Sequence, residues 1–84
     1  MFYIKVIFLE NQQYNVVLMN IDSETSILDL KFLISTFIGI PECQQKIYHE
    51  KIILDNDKIL ENYNIIKSST ILLERRTVIK ELIS

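Results

Sequence analysis

Residues 26–41 read Ser-Ile-Leu-Asp-Leu-Lys-Phe-Leu-Ile-Ser-Thr-Phe-Ile-Gly-Ile-Pro, and this stretch predicts a helix together with both of its ends. Ser26 can cap the helix, because its hydroxyl accepts a hydrogen bond from a backbone N–H of the first turn. Gly39 stands where a helix ends in the left-handed conformation, and Pro41 prevents its continuation. The residues between them form one apolar stripe along a helix over residues 27–38: Ile27, Leu30, Ile34 and Ile38.

The segments on both sides of this helix predict β-strands, because they are rich in β-branched and aromatic residues. The predicted strands are residues 3–9, 14–21, 45–49 and 70–76, with a short apolar piece at 52–54 and one helical turn at 60–63. The first two strands form a hairpin. The order of elements predicts an α+β architecture in which one helix packs across a mixed sheet of four to five strands.

The faces of the two hairpin strands are predicted from their alternation of side chains. In the second strand, one alternating set is expected to point inward: Val17, Met19 and Ile21. In the first strand, two registers stay open, and a shift of one residue exchanges them. The inward set is either Ile4, Val6 and Phe8 or Ile7 and Leu9.

Composition limits the class of protein. The chain has 84 residues, enough for one domain, and a net charge of −2, which lacks the basic surface typical of nucleic-acid binders. Its hydrophobic fraction of 49% argues against intrinsic disorder. No apolar stretch approaches the roughly 18 residues of a membrane span, and no signal peptide begins the chain. We therefore expect a soluble protein without nucleic-acid or membrane partners.

The residues able to carry chemistry are few and scattered. Cys43 and His49 are the only cysteine and histidine, and no third group is placed to orient them as a nucleophile and base. Residues 55–57 read Asp-Asn-Asp but lack the glycine and glutamate of a calcium loop. A single glycine excludes a phosphate-binding glycine loop. The sequence predicts neither an enzyme nor a metal, cofactor or small-molecule site.

Three motifs carry a family resemblance. They are Gly-Ile-Pro-Glu-Cys-Gln-Gln-Lys-Ile at 39–47, Leu-Glu-Asn-Tyr-Asn-Ile at 60–65 and Ser-Thr-Ile-Leu-Leu at 69–73. In this order and spacing the chain resembles ubiquitin, without a gap from about residue 27 to 76. The resemblance implies the β-grasp fold of ubiquitin-like domains over residues 1–76, with residues 77–84 as a tail or the start of a linker or next element.

The resemblance also implies internal contacts. Gln45 matches a buried, hydrogen-bonded amide, and the Tyr63 hydroxyl is expected to bond the backbone near Asp55. Lys31 and Lys67 match chain-linking lysines, but we interpret them as solubilising surface charges. The implied core is strand 1 with Val17, Met19, Ile21, Ile27, Leu30, Ile34, Ile47, Leu54, Leu60, Ile65, Ile71 and Leu73.

Two departures from the family pattern affect the expected structure and function. Conjugation of ubiquitin needs a terminal diglycine, but Ile79 and Lys80 occupy those positions here, and no glycine follows Gly39. The chain is therefore expected not to be conjugated. Glu50 and Lys51 replace a small residue and a glycine that adopt left-handed conformations, so this loop is expected to be remodelled.

The resemblance places a partner-binding patch on the outer face of the sheet. Tyr48 matches the central isoleucine of the patch that ubiquitin presents to its receptors, and Glu74 matches a valine. The patch thus keeps a hydrophobic centre but gains a negative charge. Tyrosine is a favoured interface anchor, although it also suits any strand. The predicted partner-binding residues are Tyr48, Leu72, Glu74, Lys46, Ile52 and Arg76.

A second apolar surface is predicted on the helix. Leu28 and Phe32, four residues apart, lie away from the buried stripe and form either a second contact surface or ordinary exposed side chains. In the tail, apolar residues also have helical spacing: Val78, Ile79, Leu82 and Ile83. The tail is expected to fold back on the domain or to begin a further element.

These observations predict a non-covalent protein–protein docking module of the ubiquitin–proteasome type. By resemblance it is expected to be the N-terminal domain of a larger protein, as in shuttle factors and chaperones such as ubiquilin. The implied partner is a proteasome subunit or a ubiquitin-receptor-like helix, and the implied location is the cytoplasm or nucleus. Alternatives are a free-standing ubiquitin-like protein with a non-covalent role, as in the splicing-linked member of the family, or a truncated modifier.

Overall fold

The computed structural model describes residues 2–10, 15–65 and 69–75, with only the backbone of Phe2 and Met19. Five strands form one sheet in the order β2-β1-β5-β3-β4. β1 and β5 are parallel, and the other neighbours are antiparallel. The elements are β1 (Phe2–Phe8), β2 (Asn15–Ile21), the helix α1 (Ile27–Ile38), β3 (Gln45–His49), β4 (Ile52–Ile53) and β5 (Ser69–Arg75), with 3₁₀ turns at Glu42–Gln44 and Leu60–Tyr63.

The helix has the predicted bounds and caps. The backbone N–H of Asp29 donates to the Ser26 hydroxyl at 3.0 Å, which satisfies one of the free donors at the helix N-terminus. Gly39 ends the helix with φ 73°, and its N–H donates to the carbonyl of Ser35 at 2.9 Å. The predicted stripe faces the sheet: Ile27, Leu30 and Ile34 are buried, and Ile38 packs partly buried against them. The mixed sheet with one helix across it is confirmed.

The first strand adopts one of the two predicted registers. Ile4 and Val6 are buried beneath the helix, and Phe8 packs partly buried against the same core. Ile7 therefore lies on the opposite face of the sheet, since successive side chains of a strand alternate between faces. The remaining predicted core residues of the later elements are also buried: Ile47, Leu54, Leu60, Ile65, Ile71 and Leu73.

The predicted inward face of β2 is wrong in its first half. Val17 is 48% exposed, whereas Leu18 is 1% exposed and belongs to the core. The cause is a bulge. Phe2 pairs with Ile21 and Ile4 pairs with Leu18, so β2 contains one more residue than β1 between these two pairs. Asn20 takes the left-handed conformation with φ 62° in this interval. Leu18 and Ile21 can therefore both point inward although they are three residues apart.

Two side chains tie the helix and the loops to the sheet, as predicted. The side-chain amide of Gln45, which is 3% exposed, donates to the carbonyls of Lys31 at 2.9 Å and Ile40 at 2.8 Å. These bonds join the helix, the chain leaving it and the start of β3. The backbone N–H of Asp55 donates to the Tyr63 hydroxyl at 2.9 Å, which closes the crossover between β4 and β5.

The loop between β3 and β4 is not remodelled, contrary to the prediction. Glu50 and Lys51 have φ values of 51° and 70°, so both adopt the left-handed conformation without glycine. A two-residue hairpin loop favours this geometry because its twist matches that of the strands it joins. Strand pairing thus overrides a local cost of about 1–2 kcal/mol per residue.

Lys31 is not the surface lysine that the sequence suggested. It is only 8% exposed and lies among the buried residues of the helix. Lys67 and the tail from residue 76 onward lie outside the described residues, as does the predicted domain boundary. In the part of the chain that the structure describes, no helix is long and apolar enough to cross a membrane.

Candidate functional site

The outer face of the sheet, opposite α1, carries four of the residues predicted to bind a partner: Lys46, Tyr48, Leu72 and Glu74. Ile47, Ile71 and Leu73 are fully buried on the inner face. Because side chains alternate along each strand, Tyr48 of β3 and Leu72 of β5 point to the outer face. Both are half-buried rather than fully exposed. The structure therefore places them beside each other on a surface that α1 does not cover.

Strand register assembles an apolar row across this outer face. Ile7 pairs with Leu72, Leu72 pairs with Tyr48, and Tyr48 pairs with Ile53. Directly opposed residues of neighbouring strands share a face. With strands roughly 4.8 Å apart, these four side chains form a row about 14 Å long. We call Ile7, Leu72, Tyr48 and Ile53 the apolar row.

The register corrects one residue of the predicted patch. Ile52 pairs with His49, so it belongs to the side of the β3–β4 pair opposite Tyr48. Ile53, which is 48% exposed, takes the place next to Tyr48. Ile7 was not predicted for this surface, because the sequence left the register of β1 open. Its alternation with Ile4 and Val6 was the available signal.

Tyr48 and Glu74 are joined by a hydrogen bond on the outer face. The Tyr48 hydroxyl donates to Oε1 of Glu74 at 2.8 Å. This bond, assisted by desolvation and by the carboxylate charge, raises the pKa of the Tyr48 hydroxyl above its ordinary value of 10.0. Tyr48 is therefore a neutral donor at neutral pH, and the bond restricts the orientation of its ring. The predicted patch is thus organised around a fixed aromatic side chain.

Charged residues flank the apolar row on both sides. Lys46 pairs with Glu74 on one side, and Lys5 pairs with Thr70 on the other. Among the described side chains, no lysine or arginine nitrogen lies within 4.0 Å of the Glu74 carboxylate, so Glu74 forms no ion pair there. Arg76, also predicted for this patch, lies outside the described residues.

The predicted second surface on α1 is less continuous. Phe32 is 45% exposed, and Leu28, one turn earlier on the same side, is half-buried. Phe37 is 56% exposed but was not predicted. At about 100° per residue it lies roughly 140° around the helix from Phe32, so the two rings do not form one patch.

The candidate catalytic residues are not brought together. Cys43 lies in the 3₁₀ turn before β3, and His49 is the last residue of that strand. Roughly 13 Å of extended strand separates them at about 3.3 Å per residue. Within residues 2–10, 15–65 and 69–75, no group of three or more His, Cys, Asp or Glu residues could hold a metal ion.

Comparison with known proteins agrees with the fold and the motifs. The ubiquitin family model matches residues 7–78, which include the apolar row, the helix and all three motifs. No curated protein matches the chain significantly. Since the match covers most of the chain and the mixed sheet with its crossing helix is the β-grasp arrangement, the chain belongs to the ubiquitin family.

Proposed function

We propose that this chain is a non-covalent docking module of the ubiquitin–proteasome type, the N-terminal ubiquitin-like domain of a larger protein. Ubiquitin-like domains generally mediate protein–protein interactions, and they are generally not enzymes. The observation that carries the proposal is the apolar row, in which Tyr48 is held by Glu74 between Leu72 and Ile53. Its partner is a proteasome subunit or a receptor helix of the kind that binds ubiquitin, in the cytoplasm or nucleus.

The chemistry of the row suits recognition by a protein. Tyrosine provides a large apolar ring with few rotatable bonds, and it is enriched among residues that dominate binding energy. The hydrogen bond to Glu74 already restricts the Tyr48 side chain, so less conformational entropy is lost when a partner binds. A row of four side chains is small for an interface, so the complex belongs to the weak, transient class, which buries less than about 1,200 Å².

The tail sequence supports a non-covalent role. Conjugation requires a thin diglycine end that carries the reactive carboxylate, whereas Ile79 and Lys80 stand at those positions. Their branched and long side chains cannot occupy the space that suits two glycines. A natural reading frame that continues for several hundred residues beyond Ser84 is expected. A natural stop after Ser84 would instead favour a free-standing protein.

The docking role is tested by titrating the ¹⁵N-labelled chain with a purified proteasomal ubiquitin receptor and recording proton–nitrogen correlation spectra. We expect shifts at Tyr48 and Leu72 that are lost in Tyr48→Ala. Phe32→Ala, an equally drastic change of an exposed aromatic residue on the helix, is the matched control and should bind as the native chain does. Shifts confined to α1 would contradict the proposal and assign docking to Leu28 and Phe32.

A further inference from the structure

The position of Glu74 limits which partners the apolar row can accept. Glu74 follows Leu72 on the outer face of β5, and Tyr48 reaches it with its hydroxyl at 2.8 Å. Its carboxylate is exposed in the free chain and therefore hydrated. Any partner that covers Tyr48 and Leu72 also removes water from this carboxylate. The Tyr48 hydroxyl satisfies only part of its hydrogen-bonding capacity.

A desolvated carboxylate needs a cation or several donors nearby. Burying an unpaired charge costs far more than covering apolar surface gains. Lys46 stands opposite Glu74 in the strand register, but the two form no ion pair within 4.0 Å in the described part of the chain. Lys5 lies on the other flank of the row, beside Thr70. Because no cation among the described residues pairs with Glu74, a positive charge is left for the partner to supply.

The shape of the row indicates the partner's secondary structure. The row crosses four strands over roughly 14 Å, and a helix presents side chains at i, i+4 and i+7 over about 10 Å. A strand laid on this face would leave its own backbone N–H and C=O groups unpaired, whereas a helix pairs them internally. Apolar helical residues can therefore cover the row without burying unsatisfied backbone.

We propose that the partner of the apolar row is an amphipathic helix with apolar residues at i, i+4 and i+7 and with an arginine or lysine beside this stripe that contacts Glu74. The inference rests on the docking function proposed above and specifies the charge of the docking helix. Charge complementarity at Glu74 selects this occupant over an uncharged or acidic helix. An arginine can donate to the carboxylate while Tyr48 keeps its hydrogen bond.

Two designed helical peptides serve as probes. They share an apolar i, i+4, i+7 stripe and differ at one flanking position, which is arginine in one and glutamine in the other. Binding to the full 84-residue chain is measured by titration calorimetry, with amide shifts as a map of the site. We expect the arginine peptide to bind about tenfold more tightly at low salt and to lose part of this advantage as salt rises.

Variants of Glu74 assign the preference to its charge. In Glu74→Gln, which can still accept the Tyr48 hydrogen bond, the two peptides should bind alike. In Glu74→Lys the preference should reverse. Glu61→Lys, an equal change of charge in the exposed 3₁₀ turn Leu60–Tyr63, should leave the preference near tenfold.

Each contrary result has a distinct meaning. If both peptides bound with equal affinity and shifted the amide signals of Tyr48 and Leu72, the charge selectivity would be overturned but the docking function would stand. No binding by either peptide would overturn the helical partner, while the receptor titration still decides the docking function. If diluting the chain without peptide shifted the amide signals of the apolar row, a second copy of the chain would be the occupant. If deleting residues 77–84 shifted the same amide signals, the tail would be the occupant. Either result would overturn the proposal.

Discussion

The two faces of the sheet differ in how much of their surface remains in contact with water. On the inner face, Ile47 and Ile71 have no exposed surface, and the amide nitrogen of Gln45 donates to two backbone carbonyls, while its Oε1 has no hydrogen-bond partner among the described residues. On the outer face, Tyr48 and Leu72 keep part of their surface in water, and Glu74 has a hydrogen bond but no ion pair with the described residues. The inner face stabilises the fold, whereas the outer face keeps apolar surface and a carboxylate that a partner can contact.

Neighbouring residues of β3 allow this comparison to be tested directly. Ile47→Ala should lower the free energy of unfolding by about 2–5 kcal/mol, because it creates a cavity in a fully packed core. Tyr48→Ala, the next residue on the opposite face, should cost about 1 kcal/mol, mainly through lost strand propensity. Urea denaturation of both variants measures the difference. Equal losses would contradict the division of the sheet into a structural and a binding face.

The strained loop next to the row provides a smaller test. Lys51→Gly should raise the free energy of unfolding by up to about 1 kcal/mol, because glycine adopts the left-handed conformation without a steric cost. Lys58→Gly, an exposed lysine outside the left-handed residues, is the control and should not stabilise the chain. Thermal denaturation provides the measurement. A gain in both variants would indicate an effect of lost charge rather than of relieved strain.

The smallest expected effect is a pH dependence caused by Tyr48. Its pKa is raised in the folded chain by the bond to Glu74, so the stability this bond gives is fully present below the unfolded-state pKa of about 10. This stabilisation declines as the pH rises from the unfolded-state pKa through the folded-state pKa. The difference in unfolding free energy between the native chain and Tyr48→Phe should therefore be constant between pH 7 and 9 and shrink at higher pH. A difference independent of pH up to 11 would argue against the bond.

The helix was fully predictable because its signals are local. Ser26, the apolar stripe and Gly39 act through contacts within one or two turns, and the helix has the predicted ends. The contacts of Gln45 and Tyr63 bridge distant segments, and they were predicted through the family resemblance rather than from local chemistry. Residues whose structure depends on near neighbours are thus easier to assign than those that depend on strand pairing.

Apart from the burial of Lys31 on the helix, the errors arose where strand pairing decides the structure. Alternation alone assigned Val17 to the core, but the bulge near Asn20 places Leu18 there instead. The cost of left-handed residues predicted a remodelled loop at Glu50, but the hairpin imposes that conformation. Gapless matching assigned Ile52 to the patch, but the pairing of β3 with β4 places Ile53 beside Tyr48.

The sequence alone determined the element order, the helix with its caps and most of the core, since these follow from local spacing and residue identity. Only the tertiary structure decided which side of β1 and β2 faces the helix, and only the tertiary structure assembled the apolar row. The physical reason is the period of two in a strand: one inserted residue exchanges its faces. No local pattern links Ile7 with Leu72, so their contact exists only once the strands have paired.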